Sequence, residues 1–264
     1  MPSSDTIGQH FHASELDFVK QAKDWVNQAA SDYRLVQTKL LNPRQRYIVQ
    51  TIVNQQSDLQ MVENGIFTQA ESQRVVIAPE FFEVEDSDFD LTLLSLNFPV
   101  KFVDIRHKDV LGALIHAGLD RSGIGDIVID SNHGQAQVVV DSVLVPFIES
   151  SIDKVAKAKI NWQILAADQA LIKEADGQEQ FLLVSSLRLD VVIAAAFNVS
   201  RAKAQELIDS DQVQVNWAQE SKKDRQVSLK DVISVRKFGR ISLESLSGQS
   251  KKDKIKAVFN IIHR

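Results

Sequence analysis

The stretch SLRLDVVIAAAFNVSRAKAQELIDSDQVQVNW, Ser186 to Trp217, divides into two short helices and a strand. Asp190 precedes the apolar run VVIAAAF, where a helix dipole favours a carboxylate, and Arg188 lies just outside that helix. Asn198 tolerates the left-handed conformation that ends a helix, and Ser200 is a good N-cap for RAKAQELI. Ala204, Leu207 and Ile208 then form an inward stripe, which leaves Arg201, Lys203 and Gln205 outside. QVQVNW alternates polar and apolar residues as a half-buried strand does, with Asn216 placed for a turn. The expected element is L-shaped, with Arg188 and Arg201 converging on the turn between the helices. Backbone N–H groups at a helix start favour phosphate, and Arg adds a planar fork suited to it. The competing reading pairs Arg188 with an acidic neighbour and leaves Arg201 solvated.

The charge distribution supports an anionic partner for this part of the chain. Net charge is −5 over 264 residues, but residues 1–180 carry 15 Lys and Arg against 26 Asp and Glu, whereas residues 181–264 carry 15 against 9. The final third is therefore +6 within an acidic protein, and a local excess of that size concentrates polyanions at one face. Composition is that of a globular protein, with 44% hydrophobic and 25% charged residues, and a length that permits two or three domains. No stretch approaches the apolar length of a membrane helix. MPSSDTIGQHF lacks the features of a secretory signal, and the absence of Cys removes disulfides and thiolate metal sites. A cytoplasmic location without membrane contact is expected.

Three regions are predicted: a mainly helical N-terminal region over 1–80, a split βαβ domain over 81–170, and an RNA-binding domain with C-terminal strands over 181–264. In the first, Ser14 to about Lys39 reads as an amphipathic helix through Leu16, Val19, Trp25, Val26, Ala29 and Ala30. Asn42 caps a second helix that starts at Pro43 and turns Ile48, Ile52 and Val53 inward. Arg44 and Arg46 in its first turn oppose the dipole and are either solvated or reserved for an anion. VENGIFTQA reads as a turn and RVVIAP as a short strand.

From Phe89 the order is strand, helix, strand, strand, helix, strand. The pieces are FDLTLLSLNF, HKDVLGALIHAGL with Val110, Leu111, Leu114 and Ile115 inward, DIVID, QAQVVV, a helical run DSVLVPFIESSIDKVAKAK containing Pro146, and INWQILA. That arrangement predicts a ferredoxin-like, RRM-like domain. RRMs stack bases on aromatic residues of the first and third strands, and QAQVVV offers none, which argues against base stacking on that face.

The C-terminal stretch reads as strand, hairpin, strand, a basic loop at Lys251 to Lys256, and a closing strand. Arg236, Lys237 and Arg240 flank Gly239 in the hairpin and, with Lys222, Lys223, Arg225 and Asn198, complete the candidate RNA-contact set. Other motifs dissolve. EVEDSDFD mimics the start of a calcium loop but places Leu91 and Asn97 where Gly and Glu are required. His10 and His12 have no third metal ligand in view, RSGIGDIV lacks the helix and Lys of a phosphate loop, and His107 and His116 fall out of phase on one helix. No catalytic constellation, cofactor site or metal site is expected.

RLDVVIAAAF, VSRAKAQELI, VQVNW and DVISVR, between Leu182 and Val235, resemble the S4 RNA-binding domain, also called the αL domain. Asp211 and Trp217 stand where S4 domains commonly have Gly. With the upstream NPRQRYI, HKDVLGALIHAGL and IGDIVI, nearly the whole chain is similar to the bacterial YlmH family. That resemblance implies an α+β multidomain, non-catalytic protein of Gram-positive-type bacteria with a helical or mixed N-terminal region, an RRM-like middle domain and a C-terminal S4 domain. It implies a monomer that binds rRNA and tRNA on the large ribosomal subunit and holds peptidyl-tRNA while an alanine-tailing quality-control factor acts. Two rivals stand beside it. One is a septum-associated cell-division scaffold. The other is a pseudouridine synthase, whose catalytic Asp lies in an Arg-Leu-Asp motif spelled here by Arg188, Leu189 and Asp190, although only 74 residues follow Asp190.

Overall fold

A computed structural model describes residues 11–172, 177–250 and 253–263. The expectations on His10, Lys251 and Lys252 lie outside these residues. The chain forms two compact units, one over Ala13–Glu174 and one whose body is Ala175–Arg264.

The first unit opens with α1 (Leu16–Asp32), β1 (Val36–Leu41), α2 (Pro43–Val53), β2 (Leu59–Asn64) and β3 (Gln73–Pro79), and the strands form an antiparallel sheet of order β1-β3-β2. This region is mixed rather than mainly helical. The first helix does not run to Lys39: Tyr33 takes a left-handed conformation at φ 50°, and the β-branched Val36 and Thr38 continue as a strand. LQMVEN is a strand too, unread because its edge position leaves most of it half-exposed and its pattern blurred. On α1 the buried face is Val19, Ala22, Val26 and Ala29, while Leu16 is exposed. Asn42 caps α2 in a capping box with Gln45, as expected. Arg44 and Arg46 are neither solvated nor free for an anion. Arg44 donates to both carboxylate oxygens of Glu15 at 2.8 and 2.9 Å, and Arg46 pairs with Glu63 at 2.9 Å.

The same unit continues with β4 (Leu91–Asn97), α3 (His107–His116), β5 (Ile124–Asp130), β6 (Gln135–Asp141), α4 (Val145–Ser151), the small hairpin β7 (Lys154–Val155) and β8 (Ala158–Lys159), and β9 (Trp162–Leu165). Strand order β5-β6-β4-β9, antiparallel throughout, is the ferredoxin-like topology predicted. The second helix is shorter than expected. Pro146 sits in its first turn, where its missing N–H costs nothing, and KVAKAK folds back as a hairpin. On α3, Val110 and Leu114 are buried, whereas Ile115 is 40% exposed.

One sheet face carries Leu94, Leu96, Val138 and Val140 into the core beneath the helices. The opposite face, which an RRM uses for bases, is buried as well. Leu93, Ser95, Gln137 and Val139 are at most 2% exposed. Phe67 and Ala70 from the N-terminal region and the segment ending at Leu171 cover it. Gln137 clamps that segment by donating to the Gln169 carbonyl at 3.0 Å and accepting from the Leu171 N–H at 2.8 Å. Asp126 accepts the N–H groups of Glu71 and Ser72 at 2.9 and 3.0 Å, and buried Arg74 pairs with Asp141. The N-terminal sheet and the RRM-like domain are thus joined by desolvated polar contacts, and the base-stacking platform is internal.

The second unit is a six-stranded antiparallel sheet of order β10-β15-β14-β13-β11-β12, with β10 (Gln178–Val184), β11 (Val213–Val215), β12 (Ala218–Gln219), β13 (Val232–Val235), β14 (Gly239–Gln249) and β15 (Ile255–His263). Helices α5 (Leu189–Ala196) and α6 (Arg201–Asp209) precede β11 and bury Leu189, Ile193, Leu207 and Ile208 in a core shared with Ile233 and Phe259. The strands β13, β14 and β15 follow in the order read from the sequence, and Lys256, expected in the basic loop, lies in β15.

Candidate nucleic-acid interface

The turn between α5 and α6 forms as its residues dictate. Asn198 is left-handed at φ 51°, and the Val199 N–H returns to the Ala194 carbonyl at 3.1 Å, closing a Schellman motif. Ser200 caps α6 by accepting from the Lys203 N–H at 3.1 Å. The end of α6 repeats the device: Asp211 is left-handed at φ 56°, and the Gln212 N–H reaches the Leu207 carbonyl at 3.0 Å. β11 and β12 are then joined by the two-residue turn Asn216–Trp217, with φ of 51° and 63°. Asp211 and Trp217 therefore keep the backbone shape for which S4 domains use Gly.

At the centre of the site is Asp190, whose side chain is completely buried. Arg188 donates to it through Nε at 3.1 Å and Nη2 at 3.3 Å, Arg201 through Nε at 2.9 Å, and Gln205 through Nε2 at 2.7 Å. The position where Arg188 and Arg201 were expected to hold a phosphate is occupied by an internal carboxylate. The opening N–H groups of α5 are also satisfied, since Leu189 and Asp190 donate to the carbonyls of Arg225 and Lys223 at 2.9 and 3.1 Å. An anion site at that helix start is excluded, because its donors are used. Burial pushes the Asp190 carboxyl up, but the hydrogen bonds from Arg188, Gln205 and Arg201 outweigh it and hold the group down at about 2.

The arginines are nonetheless presented outward. Side-chain exposure is 34% for Arg188 and 54% for Arg201, and Arg201 spends only Nε on Asp190. Asp190 fixes each guanidinium plane and leaves the outer N–H groups facing solvent, an arrangement that pre-organises phosphate contact. Gln205 differs: its donor is committed inward, so it is a positioning residue. The missed signal was the spacing itself, because Arg201 and Gln205 lie four apart on one face of α6, aimed at the carboxylate two residues after Arg188.

The remaining predicted residues separate into two groups. Lys223 pairs with Asp209 at 2.6 Å and Arg225 with Glu220 at 2.7 Å, beside the α5 start, while Lys222 is exposed nearby. Lys203 pairs with Glu206 at 2.8 Å on the outer face of α6. The second group is the β13–β14 hairpin, where Arg236 and Lys237 are exposed and Lys237 is left-handed at φ 70°. Phe238 anchors this hairpin on Phe197, with ring centroids 5.5 Å apart, and Arg240 lies over the Trp217 ring at 5.6 Å. Trp217 is thus a support for Arg240, a role the sequence did not reveal.

Residues 14–81 match the family model described as "YlmH, N-terminal", residues 84–169 match "Putative RNA-binding domain in YlmH", and residues 187–233 match the S4 domain. The chain is 33% identical over 253 residues to the ribosome-associated protein quality control protein P2 of Bacillus subtilis strain 168, an alignment that spans 96% of this chain and 97% of the relative. Among solved structures, the cell division protein ylmH from Streptococcus pneumoniae superposes with a TM-score of 0.53 at 23% identity, covering 61% of this chain and 96% of that one, which shows a shared fold. No helix among the described residues is long and apolar enough to cross a membrane. With three successive domain matches in order and a relative aligned from end to end, the chain belongs to the YlmH family.

Proposed function

We propose that this protein is a non-catalytic RNA-binding factor of ribosome-associated quality control, which grips rRNA and tRNA on the large ribosomal subunit through its S4 domain. The observation that carries this reading is the pair of outward-facing guanidinium groups pinned by Asp190 on the one basic module of an acidic chain. The relative named for ribosome-associated quality control supplies the setting. In that setting the grip holds peptidyl-tRNA in place while an alanine-tailing factor extends the stalled chain. The protein acts as a monomer without a cofactor.

Burial of Asp190 supports the non-catalytic reading. An aspartate that shares its oxygens with Arg188, Arg201 and Gln205 and has no exposed surface is a poor nucleophile, whatever motif surrounds it. The test is binding of purified large subunits by the full chain and by an Arg236→Ala/Lys237→Ala variant, whose side chains are exposed. Tight binding by wild type and at least about tenfold weaker binding by the variant is expected, since each charge-assisted contact is worth about 1.5–3 kcal/mol. Equal binding by both would remove the hairpin from the interface.

A further inference from the structure

The covered sheet face leaves a question about the RRM-like domain, because the surface through which such domains stack bases is internal here. The end of the domain at which β4 finishes is different. Asn97 faces Gln135 across β4–β6 and Leu96 faces Trp162 across β4–β9. The connections 98–106, 131–134 and 152–161 therefore meet at one end of the sheet. The Phe98 N–H donates to the Gly134 carbonyl at 2.7 Å, which ties two of them together.

Each of the two longer connections is held by apolar anchors and presents something outward. Phe98 and Ile105 are buried in the domain core, and the N–H groups of Phe102 and Val103 return to the Pro99 carbonyl at 3.0 and 3.1 Å. Between these anchors Phe102 is 83% exposed. Val155 and Ala158 are likewise buried, and their hairpin sets Lys154 opposite Lys159 with Lys157 at its tip. Six of the 15 Lys and Arg residues in 1–180 lie here, namely Lys101, Arg106, Lys108, Lys154, Lys157 and Lys159, against only four of its 26 acidic residues, Asp104, Asp109, Asp130 and Asp153. Three of those acids are occupied locally: Asp104 pairs with Arg106 at 2.7 Å, Asp109 accepts the Arg106 N–H at 3.0 Å, and Asp130 accepts from the N–H groups of Asn132 and His133 at 3.0 Å. The five lysines have no ion pair among the described residues. The sign of the charge is thus reversed at the end of the domain that exposes Phe102.

We propose that this end of the RRM-like domain is a second RNA contact, in which an unpaired base stacks on Phe102 and the lysines of the same end meet the flanking phosphates. An exposed ring on the end of the domain that carries five lysines suits RNA better than protein, because lysine is depleted from protein–protein interfaces while base stacking on an aromatic ring needs only a π-face and nearby cations. The contact is separate from the S4 grip and stands or falls independently of it.

The test uses the full chain and a fluorescein-labelled twelve-nucleotide oligoadenylate, read by fluorescence anisotropy over a salt series. Phe102→Ala is expected to weaken binding at least about fivefold with an unchanged salt slope, since it removes stacking and no charge. Lys154→Glu/Lys157→Glu is expected to flatten the slope of log K against log salt by about 1.4, two phosphate contacts' worth. Arg236→Ala/Lys237→Ala reports the S4 grip separately, and its loss multiplies with that of Phe102→Ala if the sites are distinct. Wild-type affinity in Phe102→Ala would overturn the proposal, as would loss of a protein partner with oligonucleotide binding intact. Unfolding of Phe102→Ala would also overturn it by showing that the ring packs internally.

Discussion

Arg201, the first residue of α6, donates from Nε to Oδ2 of Asp190, the second residue of α5, at 2.9 Å. That bond fixes the angle between the helices and the plane of a guanidinium at the same time. Fold and candidate site therefore share a residue, and substitutions here affect both.

Replacing Arg188 and Arg201 together by Ala leaves a buried carboxylate with Gln205 as its remaining side-chain donor. Removing the partners of a buried charge costs about 3–5 kcal/mol, so the double variant is expected to lose about 3 kcal/mol or more in urea unfolding. An unchanged urea midpoint would show that Asp190 finds other donors.

Acid should act through the same carboxylate. Asp190 is held at about 2 in the folded protein against an ordinary value near 3.8, so its contribution is present in full above about pH 4 and is lost as pH falls through 2. The linked stabilisation is about 2 kcal/mol. The measurement is urea unfolding at pH 6 and pH 2.5 for wild type and Asp190→Asn. The gap between the two proteins should narrow at the lower pH, and a constant gap would contradict the assignment.

Asp211 occupies the left-handed closing position of a Schellman motif at φ 56°. Its side chain is exposed, so Asp211→Gly should raise stability by about 0.5–1 kcal/mol by relieving backbone strain. Trp217→Gly relieves a similar strain at φ 63° but removes the ring beneath Arg240, so it is expected to be less favourable. A thermal-melt comparison of the two variants checks this order.

The elements with a strong local period were legible. Asn198, Ser200 and the Ala204–Leu207–Ile208 stripe defined the helix pair, and alternating elements defined the ferredoxin-like order, because one residue's neighbours in sequence are also its neighbours in space there. What escaped were long-range pairings. Asp190 looked like a residue favoured by a dipole because its partners lie eleven and fifteen residues away on another helix. Val36–Leu41 looked like the tail of α1 because its partner, β3, lies almost forty residues on. The covering of the RRM-like sheet by Phe67 and Leu171 had no local signature, since both residues sit in irregular segments.

The salt dependence of RNA binding gauges the size of the grip. Four to six cations on phosphates give a slope of about −3 to −5 in log K against log salt for the full chain on rRNA fragments. A slope near zero would contradict a backbone-directed contact.

The most direct measurement is ultraviolet crosslinking of the full chain in lysate, followed by sequencing of the attached RNA. The account predicts enrichment of large-subunit rRNA and tRNA, with crosslinked peptides from the α5–α6 element and the Arg236–Lys237 hairpin. Reads spread over mRNA without rRNA or tRNA enrichment would contradict it.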